Sequence, residues 1–377
     1  MTMVSEEKFS LKDHLFNAET LAQLADEFAA GLPGFDGDRF QVEALSGFGT
    51  RELLARLEWM ADCLEGQLAA DFPTMAAQLE AAMPAPLDPA LSDDDFGHFI
   101  HALPGILAVR HGLEDHRERA LDLLYQATQR FSMEYYIRPF LNRWPEETLA
   151  RLSVWATDGN YHVRRLVSEG TRPRLPWAKA VRLTSDQTLP LLDLLYSDGT
   201  RYVTRSVANH LNDIAKKQPD LVCARLADWA ETGRQTGKEM AWMTRHGLRT
   251  LVKQGHGGAL TMLGYRPDVA VDATLDLGAA SYAMGEKLAV SCVLQCAQDL
   301  PVLADYRMIF ARPGGKKAEK VFKLKVGQIK AGVPLKLAKN HPLKGDASTF
   351  KLYPGAHEVV LQVNGRDVAR AEFELTA

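Results

Sequence analysis

LARLSVWATDGNYHVRRLVSE, residues 149–169, aligns without gaps with LPLLDLLYSDGTRYVTRSVAN, residues 189–209. Leu149 and Leu189, Leu152 and Leu192, Asp158 and Asp198, Gly159 and Gly199, Val163 and Val203, and Arg165 and Arg205 all match at an offset of 40. Each copy reads as a helix, a tight Asp-Gly turn and a second helix. Forty residues of helix–turn–helix is the period of HEAT-type solenoids. The stretches 121–141 and 221–252 read as degenerate copies on either side. Stacked helix pairs of this kind make a curved array that binds through its concave face.

Towards the N-terminus the helical period continues. Apolar residues recur every three or four positions in LAQLADEFAAGL (21–32) and RELLARLEWMADCLEGQL (51–68), with Thr50 placed to cap the second. The Pro- and Asp-rich stretch 83–95 reads as a loop that separates an N-terminal helical cap from the main array. From about Asp268 the period changes to two, in TLDLGA, KLAVSCVLQC, DYRMIFARPGG, KVFKLKVGQI, TFKLYPG and HEVVLQVNGRDVARAEFEL. Turn residues every 8–15 positions separate these strands, and Asn364-Gly365 marks a two-residue hairpin. Some seven short strands in about 110 residues suggest an immunoglobulin-like sandwich, with Tyr353 where such folds place a corner tyrosine. The expected fold is therefore multidomain: a helical cap over 1–95, an all-α HEAT-like solenoid over 96–266 and an all-β immunoglobulin-like sandwich over 267–377.

Composition fits that reading. The 377 residues are 46% hydrophobic and 24% charged, enough apolar material for more than one core. No apolar run reaches the ~18–20 residues of a membrane helix, and MTMVSEEKFSLKD lacks the apolar core of a signal peptide. Four cysteines fit a reducing compartment rather than a disulfide framework. The charge is polarised along the chain. Residues 1–129 carry 8 basic and 23 acidic side chains, residues 130–253 carry 20 and 13, and residues 254–377 carry 16 and 12. The net values of −15, +7 and +4 close on the overall −4. The latter two-thirds can thus face a polyanion.

Several chemistries find no support. Cys292 and Cys296 share one face of an alternating strand, Cys63 and Cys223 are isolated on apolar stripes, and the 11 histidines show no zinc spacing. No metal is expected. Gly47 and Gly49 precede a helix, but no GK[ST] follows them and no strand leads in, so they read as a turn. There is no GxSxG.

The informative stretch is SMEYYIRPFLNRWPEETLARLSVWATDGNYHVRRLVSEGTRPRLPW, 132–177. Residues 130–182 hold ten basic and five acidic groups. Within that basic setting Glu134 and Glu169 read as the ends of helical stretches, with Glu134/Arg138 and Arg165/Glu169 at i,i+4 spacing. Surface ion pairs would account for both, at ~0.3–0.5 kcal/mol each. Against that stands the loop 170–177, which holds Arg172, Arg174 and Trp177 among prolines, a stiff frame for guanidinium groups that grip phosphates. One repeat later Val203, Val207, Leu211 and Ile214 form an apolar stripe, with Arg205, Asn209 and Asp213 on the other side. That polar stripe fits either a solvated face or a binding face. Lys238, Trp242, Arg245, His246 and Arg249 mix aromatic and basic groups, as nucleic-acid surfaces do. Trp155 and Trp229 are expected to pack between helices.

At SMEYYIRPFL (132–141), DGNYHVRRLVSEGTRPRLPW (158–177) and YVTRSVANHLNDI (202–214) the sequence resembles the AlkC branch of the AlkC/AlkD DNA-alkylation-repair glycosylases. The similarity runs from about residue 100 to 265, and YPGAHEVVLQVNG (353–365) resembles the Ig-like extension of some members. Thr204 departs from the pattern, which has an arginine directly after the valine. The resemblance implies hydrolysis of the N-glycosidic bond of cationic N-methylated bases, namely 3-methyladenine, 3-methylcytosine and 1-methyladenine, in duplex DNA. It places Glu134 and Glu169 at the sugar, with Asp213 as a third candidate. It turns Arg138, Arg164, Arg165, Arg172, Arg174, Trp177, Arg205, Asn209, His210, Trp242 and Arg245 towards DNA. Lys316 and Lys317, expected on a loop, would extend that surface. It further implies no cofactor, alkylated double-stranded DNA as the partner, no membrane, and a cytoplasmic monomer that joins the nucleoid when bound to DNA. A non-catalytic HEAT scaffold for nucleic acid or protein is the alternative, since fold does not imply function. RNA binding through the sandwich is a third reading, resting on its lysines alone.

Overall fold

Two aspartates explain why the helical hairpins turn where they do. Asp158 Oδ1 accepts from the Asn160 backbone N–H at 2.7 Å, and Asp198 Oδ1 accepts from Thr200 N–H at 2.8 Å. The first turn joins the helices Pro145–Trp155 and Tyr161–Gly170, the second Ser185–Leu195 and Arg201–Ala215. Asn160 then caps its helix by accepting from His162 N–H at 2.8 Å. The apolar stripes bury as the period requires, with Val163, Leu166 and Val167 in one repeat and Val203, Val207 and Leu211 in the next all excluded from solvent. Trp155 and Trp229 are buried as well.

This computed structural model describes residues 9–91, 93, 96–345 and 350–377. Among the described residues helices run to Met262 and strands begin at Asp272. Helix Leu53–Glu65 starts after Glu52, so Thr50 is not its cap. The chain divides into two compact units, one holding the helices up to Ile214 with Thr232–Met243, the other Ala215–Glu231 with Thr244–Ala377.

Among the described residues the β part has eight strands: β1 Asp272–Asp276, β2 Ser281–Ala283, β3 Lys287–Gln295, β4 Leu300–Ala311, β5 Lys317–Ile329, β6 Leu335–Pro342, β7 Gly355–Val363 and β8 Arg366–Thr376. They form two sheets, β1-β3-β6 and β2-β8-β7-β4-β5. Pairing is antiparallel except between β2 and β8. Leu288, Val290, Tyr306, Met308, Phe310, Val359 and Phe373 make one core cluster, and Leu294, Val302, Ile329 and Leu361 belong to a second. Asn364 (φ 46°) and Gly365 (φ 82°) both take left-handed backbone, as a type I′ turn between β7 and β8 requires.

Three expectations fail in detail. Phe350–Pro354 of the expected strand TFKLYPG lie in no strand, while Thr349 falls outside the described residues. Phe350 instead stacks on Phe310 with centroids 5.0 Å apart. The backbone carbonyl of Tyr353 accepts from His357 Nε2 at 2.9 Å, whereas it is the hydroxyl of Tyr282 that bonds back to the chain, at Leu277 O. Lys317 does not ride a loop: it opens β5 opposite Ala311, leaving only Lys316 in the turn after Gly314 and Gly315.

Candidate functional site

Three carboxylates distant in sequence meet in the first compact unit. Glu134 sits in the turn before the helix Ile137–Arg143, Glu169 in the last turn of Tyr161–Gly170, and Asp213 in the last turn of Arg201–Ala215. Two guanidinium groups join them. Arg165, one turn before Glu169, bonds to Glu134 Oε2 and lies 3.7 Å from Glu169 Oε2. Arg172 donates from Nη1 to Glu169 Oε1 at 2.6 Å and from Nε to Asp213 Oδ2 at 3.0 Å. Two hydroxyls complete the network: Ser132 donates to Glu134 Oε2 at 2.8 Å and Ser206 to Glu169 Oε2 at 2.6 Å. The Arg165 guanidinium lies 5.0 Å from the ring centre of Tyr202.

Burial sets the electrostatics. The side chains of Glu134, Glu169 and Asp213 are 14%, 6% and 4% exposed. Burial alone would push the Glu169 carboxyl up, but Arg165 and Arg172, then the Ser206 hydroxyl, outweigh it and hold the group below the usual carboxylate range. Burial likewise works against the charges of Arg165 and Arg172. Glu134 and Glu169 at the first, and Glu169 and Asp213 at the second, keep both above their ordinary value. The result is a largely buried cluster of carboxylates held by two guanidiniums, the kind of environment that stabilises a developing cation without reorganising. Among the described residues no group of three His, Cys, Asp or Glu side chains is placed to hold a metal ion.

The other expected site residues take varied positions. Arg138 points inward, wholly buried, and donates from Nε to Lys179 O at 2.5 Å and from Nη1 to Gly170 O and Arg172 O, both at 2.9 Å. It thus pins the loop 170–179 from beneath and has no surface to offer a phosphate. The expected Glu134/Arg138 pair does not form, because Glu134 precedes the helix. Burial, with Arg172 beside it, lowers the Arg138 guanidinium to about 10. Arg164 turns to Asp198, and His210 is wholly buried with Nδ1 3.1 Å from Ser168 O. Arg205 is half-buried and pairs with Asp93 at 2.6 Å, and Asn209 is half-buried beside it. Asp213 is buried, so Arg205, Asn209 and Asp213 are not one solvated stripe. Thr204 is buried and donates to Glu239 Oε1 at 2.6 Å. Trp242 is half-buried under the Arg201 guanidinium, 3.9 Å from its ring centre. Arg174, Arg245, Lys316 and Lys317 are exposed. Trp177 is 70% exposed and holds a left-handed backbone, φ 64°, which is strained for so large a side chain.

Composition and motif spacing do not mark Ser132, Tyr202 or Ser206 as site residues. A signal existed for two of them: Tyr202, Ser206, Asn209 and Asp213 follow one another at spacings of four, three and four, one face of a helix.

Known proteins share this architecture. The family model for the C-terminal Ig-like domain of the uncharacterised protein YhaZ matches residues 272–377. Over 371 residues the chain is 32% identical to the uncharacterized protein YhaZ of Bacillus subtilis, covering 96% of this chain and 98% of that one. It is also similar to the alkylpurine DNA glycosylase AlkC of Pseudomonas fluorescens, solved bound to DNA containing an abasic site analog. That match has a TM-score of 0.85 and 32% identity, and covers 98% of this chain and 100% of the other.

Proposed function

Because the chain belongs to the AlkC branch of the AlkC/AlkD DNA-alkylation-repair family, with a C-terminal Ig-like domain, we propose that it is a DNA glycosylase. Its substrates are cationic N-methylated bases, 3-methyladenine, 3-methylcytosine and 1-methyladenine, in duplex DNA. The observation that carries the reading is the convergence of Glu134, Glu169 and Asp213 on Arg165 and Arg172. A pure phosphate binder gains nothing from three carboxylates gathered inside a basic segment, whereas a site for a sugar cation does.

The chemistry follows from the leaving group. A methylated base that is already positive departs without a general acid. What remains is to stabilise the oxocarbenium-like sugar and to orient the water that attacks C1′. Carboxylates do both, and the guanidinium groups of Arg165 and Arg172 favour the ionised form of Glu169. The polar side chains that the network joins are carboxylates, guanidiniums and hydroxyls. On this reading water attacks C1′ directly, and the reaction is a simple hydrolysis that leaves an abasic site and a free base without a cofactor. A monomer bound to the nucleoid suffices for such a reaction.

The test is release of free methylated base from alkylated duplex DNA, followed by chromatography, for the wild type and for Glu134→Gln and Glu169→Gln. Each variant is expected to lose about 10²–10³-fold in rate. Wild-type protein that binds DNA but releases no base would leave the scaffold reading in its place.

A further inference from the structure

Both glutamates are held in the same way. Ser132 Oγ donates to Oε2 of Glu134, Ser206 Oγ donates to Oε2 of Glu169, and Arg165 stands between those two oxygens. Arg165 Nη1 also donates to Ser132 Oγ at 2.6 Å, so the first serine is itself oriented. The second is oriented by Ser168 Oγ, 2.9 Å away. Ser206 and Ser168 are both buried, where a hydroxyl left without a partner is costly and therefore keeps the one it has.

The consequence is an asymmetry. Glu169 has Arg172 on Oε1 and Ser206 on Oε2, so both of its oxygens are committed within the protein. In Glu134 only Oε2 is engaged, and Oε1 has no partner among the described residues. Its side chain is also the more exposed of the two. Two serines and one arginine thus turn one oxygen of each glutamate inward and leave a single glutamate oxygen available.

We propose that Ser132 and Ser206 are positioning residues that fix the paired glutamates on Arg165 and present Glu134 Oε1 to the reacting sugar or its attacking water. This rests on the glycosylase reading above and assigns a division of labour within it. Glu134 is the carboxylate that touches substrate. Glu169 acts through Arg165 and Arg172, holding their charges in place. The hydroxyl on Glu169 also helps keep that carboxyl low, after the two guanidiniums, so its loss favours the protonated form.

The experiment compares Ser132→Ala, Ser206→Ala and the matching threonine variants with wild type. It uses single-turnover release of 3-methyladenine from duplex DNA over a range of pH, beside equilibrium binding to duplex DNA with an abasic-site analogue. Each alanine variant is expected to slow the chemical step about tenfold while binding the abasic duplex within twofold of wild type. Threonine, which keeps the hydroxyl, should recover most of the rate. In Ser206→Ala the acid limb of the rate profile should move to higher pH. Ser132 is half-buried and lies outside any helix, so its variant reports even where a buried substitution at 206 fails to fold. Alanine variants that match an active wild type in rate and profile overturn the proposal, as does a loss of rate and abasic-duplex binding in equal measure. A wild type that releases no base is the separate failure of the glycosylase reading itself.

Discussion

Arg164 of one helical hairpin grips Asp198 of the next, Nε to Oδ2 at 2.6 Å and Nη2 to Oδ1 at 3.1 Å. The same guanidinium donates to the carbonyls of Asp158 and Gly159, so one arginine ties the two Asp-Gly turns together. Asp198 therefore shapes its own turn and anchors the preceding repeat. The repeated aspartate is structural, and the arginine beside it is committed to it rather than to a phosphate.

Removing that anchor should be costly. The Asp198 side chain is 3% exposed and that of Arg164 18%, so Asp198→Ala leaves a guanidinium largely buried without its counter-charge. The expected loss is about 3 kcal/mol of stability, read as a lowered urea midpoint by far-UV circular dichroism. A midpoint within error of wild type would mean that the pair does not hold the repeats together.

His210 gives the fold a pH dependence of known sign. Its Nδ1 donates to Ser168 O, and burial, with Arg172 nearby, pushes the imidazole down to about 4. In the unfolded chain it takes a proton below about 6.5, but in the folded protein only near 4. Stability should thus fall as pH drops from about 6.5 to 4, by about 3 kcal/mol over that window, and fall no further on its account below it. His210→Gln should flatten this limb by about one proton in the slope of stability against pH. An unchanged slope would show that His210 does not titrate in this way.

Periodicity made most of the fold legible and hid a few parts of it. A 40-residue helical repeat with matching Asp-Gly turns points to helical hairpins, and Asn364-Gly365 to the tight left-handed turn it forms. β6 carries no such signal, because only Leu337 and His341 of its eight residues are buried, which leaves no alternation. β2 is three residues long, too short for a pattern. At the site, Glu134, Glu169 and Asp213 were legible as carboxylates among arginines. The directions of the arginines were not, since a helix face is set by spacing but a long side chain's target is set by what lies across the fold. Arg138 bonds to the carbonyls of Gly170, Arg172 and Lys179, and Arg164 to the carboxylate of Asp198, partners 32 to 41 residues away that only the folded chain brings near.

Arg172 and Arg174 flank one proline yet should behave differently. Arg172 is nearly buried between Glu169 and Asp213, whereas Arg174 is exposed on the same loop. Arg174→Ala is expected to weaken DNA binding and lower the slope of log affinity against log salt by about 1, the signature of one lost phosphate contact. Arg172→Ala should instead abolish base release, because it leaves two buried carboxylates facing each other without their shared cation. Fluorescence anisotropy at several salt concentrations and a base-release assay separate the two. Equal effects in both assays would refute the distinction.

Lys316 and Lys317 test whether the sandwich takes part in holding DNA. Both are exposed, Lys316 in a turn with two left-handed glycines and Lys317 at the start of β5. β5 is also an edge strand, where exposed lysines such as Lys323 and Lys325 protect against pairing with other chains. The two roles predict different losses: Lys316→Ala with Lys317→Ala should weaken DNA binding and lower the salt slope by about 2, whereas Lys323→Ala with Lys325→Ala should promote aggregation with little change in affinity. Charge removal is a cleaner test than deleting the sandwich. The Asn364-Gly365 turn packs so closely on the helical segment that a Cβ at Gly365 would lie 2.7 Å from Gly255 O and 2.5 Å from Leu260 Cδ1. Truncation before Asp268 would strip that cover from Leu260 and confuse lost folding with lost binding. Affinity and salt slope unchanged in the Lys316/Lys317 double variant would remove these lysines from the DNA surface and leave them a structural role alone.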